Sequence, residues 1–188
     1  MLQNFIFFNP THCKITFIII LLFWCNSTIY AQQCLKDVTD GLAKSYFFAS
    51  GDRAGEEYDR AFNNDNNAGN KWFRGNYNTS VDSPNWIGVN FAELGQKVLT
   101  GYLISSANDF PSRNPRDWQF QGSMDGIVWE TLDQRVQEEF AYAGQSRIFT
   151  FTNSKAYIQY RFLITETFAT DESSIQIGEI ELYENVCL

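Results

Sequence analysis

The sequence predicts an all-β protein, an antiparallel jelly-roll β-sandwich of about eight strands. Short segments with alternating apolar and polar residues recur between turns rich in Asn, Asp, Gly, Ser and Pro. No amphipathic helix is longer than two turns, and there are no internal repeats. The predicted strands are 46–48, Trp86–Phe91, Val98–Ser106, Arg116–Ser123, Ile127–Leu132, Arg147–Thr152, Ala156–Thr165 and Ser174–Glu184.

Two of these strands form a β-hairpin at the centre of the chain. Trp118, Phe120 and Gly122 alternate with polar residues, which indicates a strand with one buried face. Asp125-Gly126 follows, and glycine accepts the positive φ angle that a tight hairpin turn requires. The hairpin therefore predicts two adjacent antiparallel strands.

Other residues are assigned to the scaffold. Residues 55–62 are expected to form a short helical turn with Tyr58 and Phe62 facing inward. Arg116 and Arg161 lie within strands and are expected to pair with strand carboxylates rather than to face a ligand. Four tryptophans are expected in the core: Trp72, Trp86, Trp118 and Trp129.

The first 31 residues read as a secretory signal peptide. Lys14 precedes an apolar run of about ten residues, and the polar stretch that follows ends at Ala31. A membrane anchor is the alternative, but a spanning helix needs about 20 apolar residues. Removal of this segment leaves residues 32–188 as one secreted domain with a sizeable core.

The predicted mature chain carries 13 basic and 22 acidic residues, a net charge of -9. Such a balance disfavours nucleic acid and anionic membrane lipid as partners, since both attract clustered Lys and Arg. Cys34 and Cys187 remain near its two ends, and in an oxidising compartment they are expected to form a disulfide. Two free thiols are the alternative.

Catalysis is not expected. The single histidine, His12, lies in the predicted signal peptide, which excludes histidine-based triads and zinc sites from the mature domain. No phosphate-binding glycine loop and no nucleophile elbow occurs. Paired carboxylates stay open as an alternative, because glycoside hydrolysis requires a spatial arrangement rather than a sequence motif. The chain therefore predicts a binding module.

The central hairpin and its neighbours resemble the discoidin family, also called F5/8 type C or galactose-binding-like domains. The segments that carry the resemblance are Thr100–Asp109, Pro115–Trp118, Gln121–Gly126 with Trp129, Tyr160–Ile164 and Ile175–Tyr183. Together they cover almost all of the chain from about residue 43 to 183. The resemblance implies a galactose-binding-like sandwich, and members of this family bind sugars, lipids and proteins.

An Asn-rich loop is a candidate calcium site. Seven of the twelve residues from 61 to 72 are Asn, Asp or Gly, and they offer the hard oxygen ligands that calcium prefers. The resemblance implies a structural Ca²⁺ held by Asn63, Asp65, Asn70 and Glu179. Asn63 stands where the family has aspartate and Asn70 where it has threonine, so weaker binding is expected. A plain Asn-rich turn is the alternative.

The candidate carbohydrate site lies on loops at one end of the sandwich. Asn108, Asp109 and Arg113 are expected to hydrogen-bond to sugar hydroxyls, with Phe168 as the stacking ring. Sugar-binding relatives place two similar loops around their ligand. The alternative is an ion pair between Asp109 and Arg113 that only shapes the loop, with Phe168 in the core.

The sequence thus predicts a secreted, non-catalytic module that binds carbohydrate on a glycan or glycoprotein surface. Cell adhesion, phospholipid binding or protein binding without sugar is the alternative, and Phe110 and Phe168 would then be apolar spikes at the loop tips. Asn78 begins an N-glycosylation sequon in a predicted surface loop. Neither the sugar nor the oligomeric state is predicted.

Overall fold

A computed structural model describes residues 35–67, 69–170 and 173–185 of the chain. The described residues form eleven strands: β1 Leu35–Asp37, β2 Phe47–Ala49, β3 Trp72–Gly75, β4 Asn85–Asn90, β5 Leu99–Ser105, β6 Pro115–Ser123, β7 Glu130–Arg135, β8 Ser146–Thr150, β9 Gln159–Thr167, β10 Ser174–Ile177 and β11 Glu179–Asn185. Three short 3₁₀ turns span Lys44–Tyr46, Tyr58–Phe62 and Pro111–Arg113.

The strands form two layers, as the predicted all-β sandwich requires. One sheet has the order β2-β4-β9-β6-β7 and the other β1-β11-β5-β8, while β10 and β3 form a short ribbon. All of these neighbours pair antiparallel. The sequence-based fold class is confirmed, with more and shorter strands than the eight expected.

The central hairpin is present, but its second strand begins later than predicted. β6 pairs with β7, yet β7 starts at Glu130 instead of Ile127. Asp125 explains the difference, because its carboxylate accepts the backbone N–H groups of Ile127 and Val128, both at 2.8 Å. Residues 124–129 therefore form a loop, and Gly126 takes a φ of 73° within it.

The predicted strand Ser174–Glu184 is divided in two at Gly178. β10 pairs with β3, whereas β11 crosses to β5 in the other sheet. A side chain at Gly178 would overlap Asn66 Oδ1 and would lie 2.7 Å from the carbonyl oxygen of Ser106. Glycine is therefore required where the chain passes from β10 to β11, because the backbone there lies close to Asn66 and Ser106.

The core lies between the inner faces of the sheets. Trp118 and Phe120 are buried as the alternation predicted, and Tyr102 packs 4.9 Å from the Phe120 ring. Its hydroxyl accepts a hydrogen bond from Trp118 Nε1 at 2.9 Å and donates one to Asp133 at 2.6 Å. The most buried large side chains include Trp72, Trp118, Tyr102, Tyr157, Tyr160, Phe91, Phe120 and Phe162.

Four scaffold predictions have mixed outcomes. The helical turn is a 3₁₀ turn with Phe62 buried, and Arg116 lies 3.9 Å from Glu166 as expected for a strand ion pair. The core assignment of Trp86 and Trp129 is wrong, since both are only half-buried. Among the ion pairs of the described residues none includes Arg161, so its predicted carboxylate partner is not found there.

The course of β6 defines the two ends of the sandwich. Its first residue follows the 108–114 loop and lies opposite Thr167, the last residue of β9. Its last residue leads into the 124–129 loop. We call the first the loop end and the second the hairpin end. Within the described ranges, none of the helical turns has the length and apolarity of a membrane-crossing helix.

Candidate functional site at the loop end

Backbone hydrogen bonds join the two predicted sugar-binding loops. Phe168 N–H donates to the carbonyl oxygen of Asn114 at 2.9 Å, and Ala169 N–H donates to that of Ser112 at 3.0 Å. Gln176, fully buried in β10, donates its side-chain amide to the carbonyl oxygens of Asp109 and Phe110. These bonds fix the loop backbones whatever side chains they carry, and so bring 108–114 and 168–170 together as predicted.

Asp109 is held by a buried lysine. One of its carboxylate oxygens pairs with the Lys71 ammonium group, which is 3% exposed. Glu56 lies 3.7 Å from the same ammonium. A buried charge requires such partners, because leaving it unpaired costs about 3–5 kcal/mol. Asp109 therefore shapes the loop as in the alternative interpretation, but with Lys71 rather than Arg113, and its side chain stays 40% exposed.

Arg113 packs between aromatic rings at the loop surface. Its guanidinium carbon lies 4.1 Å from the centroid of the Phe110 ring and 5.2 Å from that of Phe73. Arg53 approaches the same Phe73 ring at 4.2 Å. Cation–π contacts of this kind orient the planar guanidinium against the rings.

Two aromatic rings project at this end. Phe168 is 45% exposed and Phe110 is 58% exposed, so Phe168 is not the core residue of the alternative interpretation. Phe168 also lines a shallow notch with Pro111, Asn114 and Phe140. Phe110 takes a left-handed backbone conformation with φ at 35°, which turns its side chain out at the loop tip.

Asn108 completes the predicted set. It is half-buried, and its side-chain amide makes no hydrogen bond to another described residue. An amide in that state can both donate to and accept from a ligand hydroxyl. The loop end thus combines an amide, a guanidinium, a carboxylate and an exposed ring, which is the chemistry that sugar recognition requires.

Sequence reasoning missed the supports of this site. Lys71, Phe73 and Gln176 hold the loops from beneath, yet sequence analysis assigned none of them to the site. Lys71 follows the Asn-rich loop and precedes a buried tryptophan, a position at which a solvent-facing lysine is the ordinary expectation. Their roles depend on contacts between residues that are distant in sequence.

The Asn-rich loop folds back on itself. Asn63 and Asn70 exchange side-chain hydrogen bonds at 3.1 and 2.9 Å. Asn63 Oδ1 also accepts the backbone N–H of Asp65 at 3.1 Å, and Asp65 Oδ1 accepts that of Asn67 at 3.0 Å. The loop therefore places Asn63, Asp65 and Asn70 together, as the calcium prediction requires.

Glu179 reaches this loop from β11. It is 4% exposed, and neither of its carboxylate oxygens has a hydrogen-bond partner among the described residues. Burial raises the pKa of Glu179 to about 8. The backbone N–H groups of Ile180, Asp65 and Asn64 lie near the carboxylate and partly offset this increase, although none of them forms a hydrogen bond with it. An unpaired buried carboxylate beside amide and carboxylate oxygens fits a bound hard cation.

The remaining predicted positions are only partly described. Asn78 is exposed, while the hydroxyl of Thr79 in the same sequon is buried and accepts a hydrogen bond from Asn85 at 2.7 Å. Cys34, Cys187 and the predicted signal peptide lie outside the described residues. Searching the described ranges for three or more His, Cys, Asp or Glu residues placed to bind a metal finds no such group.

The fold is a galactose-binding-like β-sandwich similar to that of discoidin, or F5/8 type C, domains. Many solved structures share it, and those compared below are less than 25% identical to the chain. The likeness therefore establishes the fold and no more.

An F5/8 type C domain from Bacteroides fragilis has a TM-score of 0.60 at 15% identity, covering 82% of this chain and 99% of that one. A family 32 carbohydrate-binding module of Clostridium perfringens NanJ, in complex with galactose, has a TM-score of 0.59 at 14% identity over 73% and 92%. A chitosan-binding module from a Paenibacillus chitosanase/glucanase has 0.55 at 22% identity over 73% and 93%.

A curated relative matches only part of the chain. It is a peptide-N(4)-(N-acetyl-beta-glucosaminyl)asparagine amidase of Arabidopsis thaliana, 33% identical over 91 residues. The match covers 46% of this chain and 12% of the relative, so the chain spans a small part of that enzyme's length. No protein-family model matches the chain.

Proposed function

We propose that this protein is a non-catalytic module that binds carbohydrate at the loop end. The observation that carries the proposal is the exposed Phe168 ring, held by backbone hydrogen bonds beside the loop that bears Asn108 and Arg113. A pyranose presents a weakly apolar C–H face and a rim of hydroxyls. The ring would contact the face, and the amide and guanidinium would bind the rim.

Asp109 has two functions in this proposal. Its bond to Lys71 anchors the loop, and the exposed part of its carboxylate accepts from a sugar hydroxyl. The solved carbohydrate-binding modules of the same fold support a binding function. The proposal includes a secreted location and the absence of catalysis. The matching amidase does not conflict with the second point, because the match covers only part of this chain.

A glycan array with the multivalently displayed protein tests the proposal. We expect binding to specific glycans that falls about tenfold or more in Arg113→Ala, since a charge-assisted hydrogen bond contributes roughly 1.5–3 kcal/mol. Phe168→Ala should reduce it as well, and its half-exposed ring makes little contribution to folding. Lys155→Ala, which removes a cation at the hairpin end, is the matched control.

A negative array with folded protein, or equal binding by all three variants, would contradict the proposal. The melting temperature of each variant separates loss of the site from loss of folding, because Arg113 also packs on Phe73. Multivalent display is necessary because single lectin sites bind weakly and gain through avidity.

A second candidate function rests on the same two rings. Phe110 and Phe168 are both exposed on adjoining loops, which suits insertion into an apolar partner or a lipid interface. Sedimentation with phosphatidylserine vesicles distinguishes the two functions. Vesicle binding that Phe110→Ser abolishes, together with a negative glycan array, would favour the lipid function.

We further propose that the Asn-rich loop binds a structural Ca²⁺ through Asn63, Asp65, Asn70 and Glu179. The unpaired carboxyl group of Glu179 supports this, since a cation would stabilise the ionised form of a buried group that no described side chain pairs with. Calcium would supply electrostatic compensation and no reaction chemistry. Asn66, whose amide donates to the carbonyl oxygens of Ser106 and Gly144 at 3.3 Å, holds the loop in place.

A further inference from the structure

The outer face of the five-stranded sheet carries a guanidinium group that pairs with no carboxylate of the described residues. Arg161 lies in β9, the middle strand, directly between Gly88 of β4 and Gln121 of β6. Its Nε donates to Gln121 Oε1 at 2.8 Å, and its terminal nitrogens donate to no described residue. The guanidinium lies 4.0 Å from the centroid of the Trp129 ring.

Three other strand arginines differ from Arg161 in this respect, whereas Arg74 in β3 donates to Asn85 Oδ1 at 2.6 Å. Arg135 lies 2.8 Å from Asp133, Arg147 lies 2.6 Å from Glu138, and Arg116 contacts Glu166. Burial lowers the pKa of Arg161, with no acidic neighbour opposing the shift. Within the described part of the chain this half-buried cation thus has no paired carboxylate, in a protein whose net charge is -8.

Aromatic rings lie beside this guanidinium. Phe48, Trp86 and Trp129 are half-buried, and the Phe48 and Trp129 centroids are 6.4 Å apart. A side chain at Gly88 would lie 2.8 Å from the Phe48 ring and 2.9 Å from Arg161 Cα. Glycine at this position therefore lets the Phe48 ring lie close to Arg161.

Polar side chains extend the site along β6. Gln121 donates to Gln119 Oε1 at 2.8 Å, and the Thr131 hydroxyl donates to the same oxygen at 3.0 Å. This network fixes the Gln121 amide with its oxygen toward Arg161. The result is a surface of one guanidinium and two amides on paired strands, where side chains are held more firmly than on loops. The aromatic rings of β2, β4 and the 124–129 loop border it.

We propose that this surface is a second ligand site, which binds the carboxylate of a hexuronate residue in an acidic glycan. The planar guanidinium matches a carboxylate through two parallel hydrogen bonds. A hexuronate carries its carboxylate on a pyranose ring, so that one residue can contact both Arg161 and a neighbouring aromatic ring. The site shares no residue with the loop end, and the two proposals can fail separately.

Matched ligands and variants test the assignment on the full protein. A hexuronate oligomer is compared with its methyl ester, which keeps the ring and removes the charge. Gln121→Glu places a carboxylate of the same shape against Arg161. The guanidinium then pairs with this internal carboxylate instead of a ligand, while the strands stay paired. Arg161→Lys keeps the positive charge and removes the planar fork. Arg113→Ala reports on the loop end.

We expect the hexuronate oligomer to bind with at least tenfold higher affinity than its ester, and to shift the NMR signals of Arg161 Nε and Trp129 Nε1. Gln121→Glu and Arg161→Lys should each weaken binding at least tenfold, with Gln121→Glu keeping the wild-type melting temperature, whereas Arg113→Ala should leave it unchanged. Equal affinity for acid and ester, binding unaffected by Gln121→Glu, or no binding at millimolar oligomer would overturn the proposal.

Discussion

Lys71 shows how a single buried residue can determine the shape of a surface site. Its ammonium group is out of contact with solvent and pairs with Asp109 and Glu56. The aspartate is thereby committed in part to the scaffold, so a variant at Asp109 would change folding and binding together. Phe168 is a better probe, because its exposed ring neutralises no buried charge.

Glu179 provides a second prediction at the residue scale. If Ca²⁺ binds beside its unpaired carboxylate, calcium at about 100 times its dissociation constant should stabilise the protein by about 2.7 kcal/mol, or roughly 5–10 °C in melting temperature. Glu179→Gln should abolish this increase, since the amide keeps the shape and loses the charge. Thermal unfolding with calcium and with chelator measures the difference.

Glu181→Gln is the control for that experiment. It removes the same charge two residues along β11, where the carboxylate accepts the Tyr183 hydroxyl at 2.5 Å. The control should keep the calcium response. A wild-type melting temperature indifferent to calcium and chelator would show that the loop is an Asn-rich turn without metal.

Residue types predicted the surface of the site better than its interior. Asn108, Arg113 and Phe168 stand in polar or turn-rich segments where a family resemblance could identify them. Lys71 and Arg161 could not be assigned in this way, because burial and pairing depend on which distant strands meet. Arg161 was expected to have a carboxylate partner, and the strands instead place Gln121 and Gly88 beside it.

At the scale of elements, alternation located the long strands and failed at the short ones. β6 was predicted to within one residue, since three buried positions define its inner face. β1 and β3 have three and four residues, too few for a period to show. The hairpin loop was misplaced because the Asp125 carboxylate, rather than a paired strand, satisfies two backbone N–H groups.

At the scale of elements, we predict that the stability of the protein depends on glycine at position 178, between β10 and β11. Gly178→Ala should destabilise the protein by about 1–3 kcal/mol, because the added methyl group overlaps Asn66 and lies 2.7 Å from the carbonyl oxygen of Ser106. Chemical denaturation measures the loss. The double variant with Asn66→Ala should recover part of it, since one of the two obstructions is removed.

The recovery must stay incomplete, because the Ser106 carbonyl belongs to the backbone and remains in place. Full stability in Gly178→Ala alone would mean that β10 and β11 separate without the close approach described for them. The same variant should also weaken any calcium response, as Asn66 positions the Asn-rich loop.

For the whole molecule, the attachment of the edge strand β1 to the four-stranded sheet predicts that stability depends on pH. Asp37 in β1 accepts the backbone N–H of Thr39 at 2.8 Å and that of Leu182 at 3.3 Å. Burial chiefly, with smaller effects of Asp40 and Glu181, raises the pKa of Asp37 to about 6. The folded state therefore binds more protons than the unfolded state between about pH 4 and 6.

The contribution of Asp37 to the free energy of unfolding should accordingly be largest near pH 4 and decline as the pH rises to 6. Asp37→Asn removes this dependence while keeping the acceptor for Thr39. The stability of the wild type relative to the variant should thus fall across that interval. Urea unfolding at several pH values measures it, and a constant difference would contradict the assignment.

The hydrogen bonds from Phe168 to Asn114 and from Ala169 to Ser112 use only main-chain atoms. The backbone geometry of the loop end consequently depends little on which side chains the loops expose. Randomising Asn108, Phe110 and Phe168 while retaining Gln176 and Lys71 should yield a library of folded proteins with new specificities. The same separation would let natural selection retarget such a module by few substitutions, without first having to rebuild the scaffold.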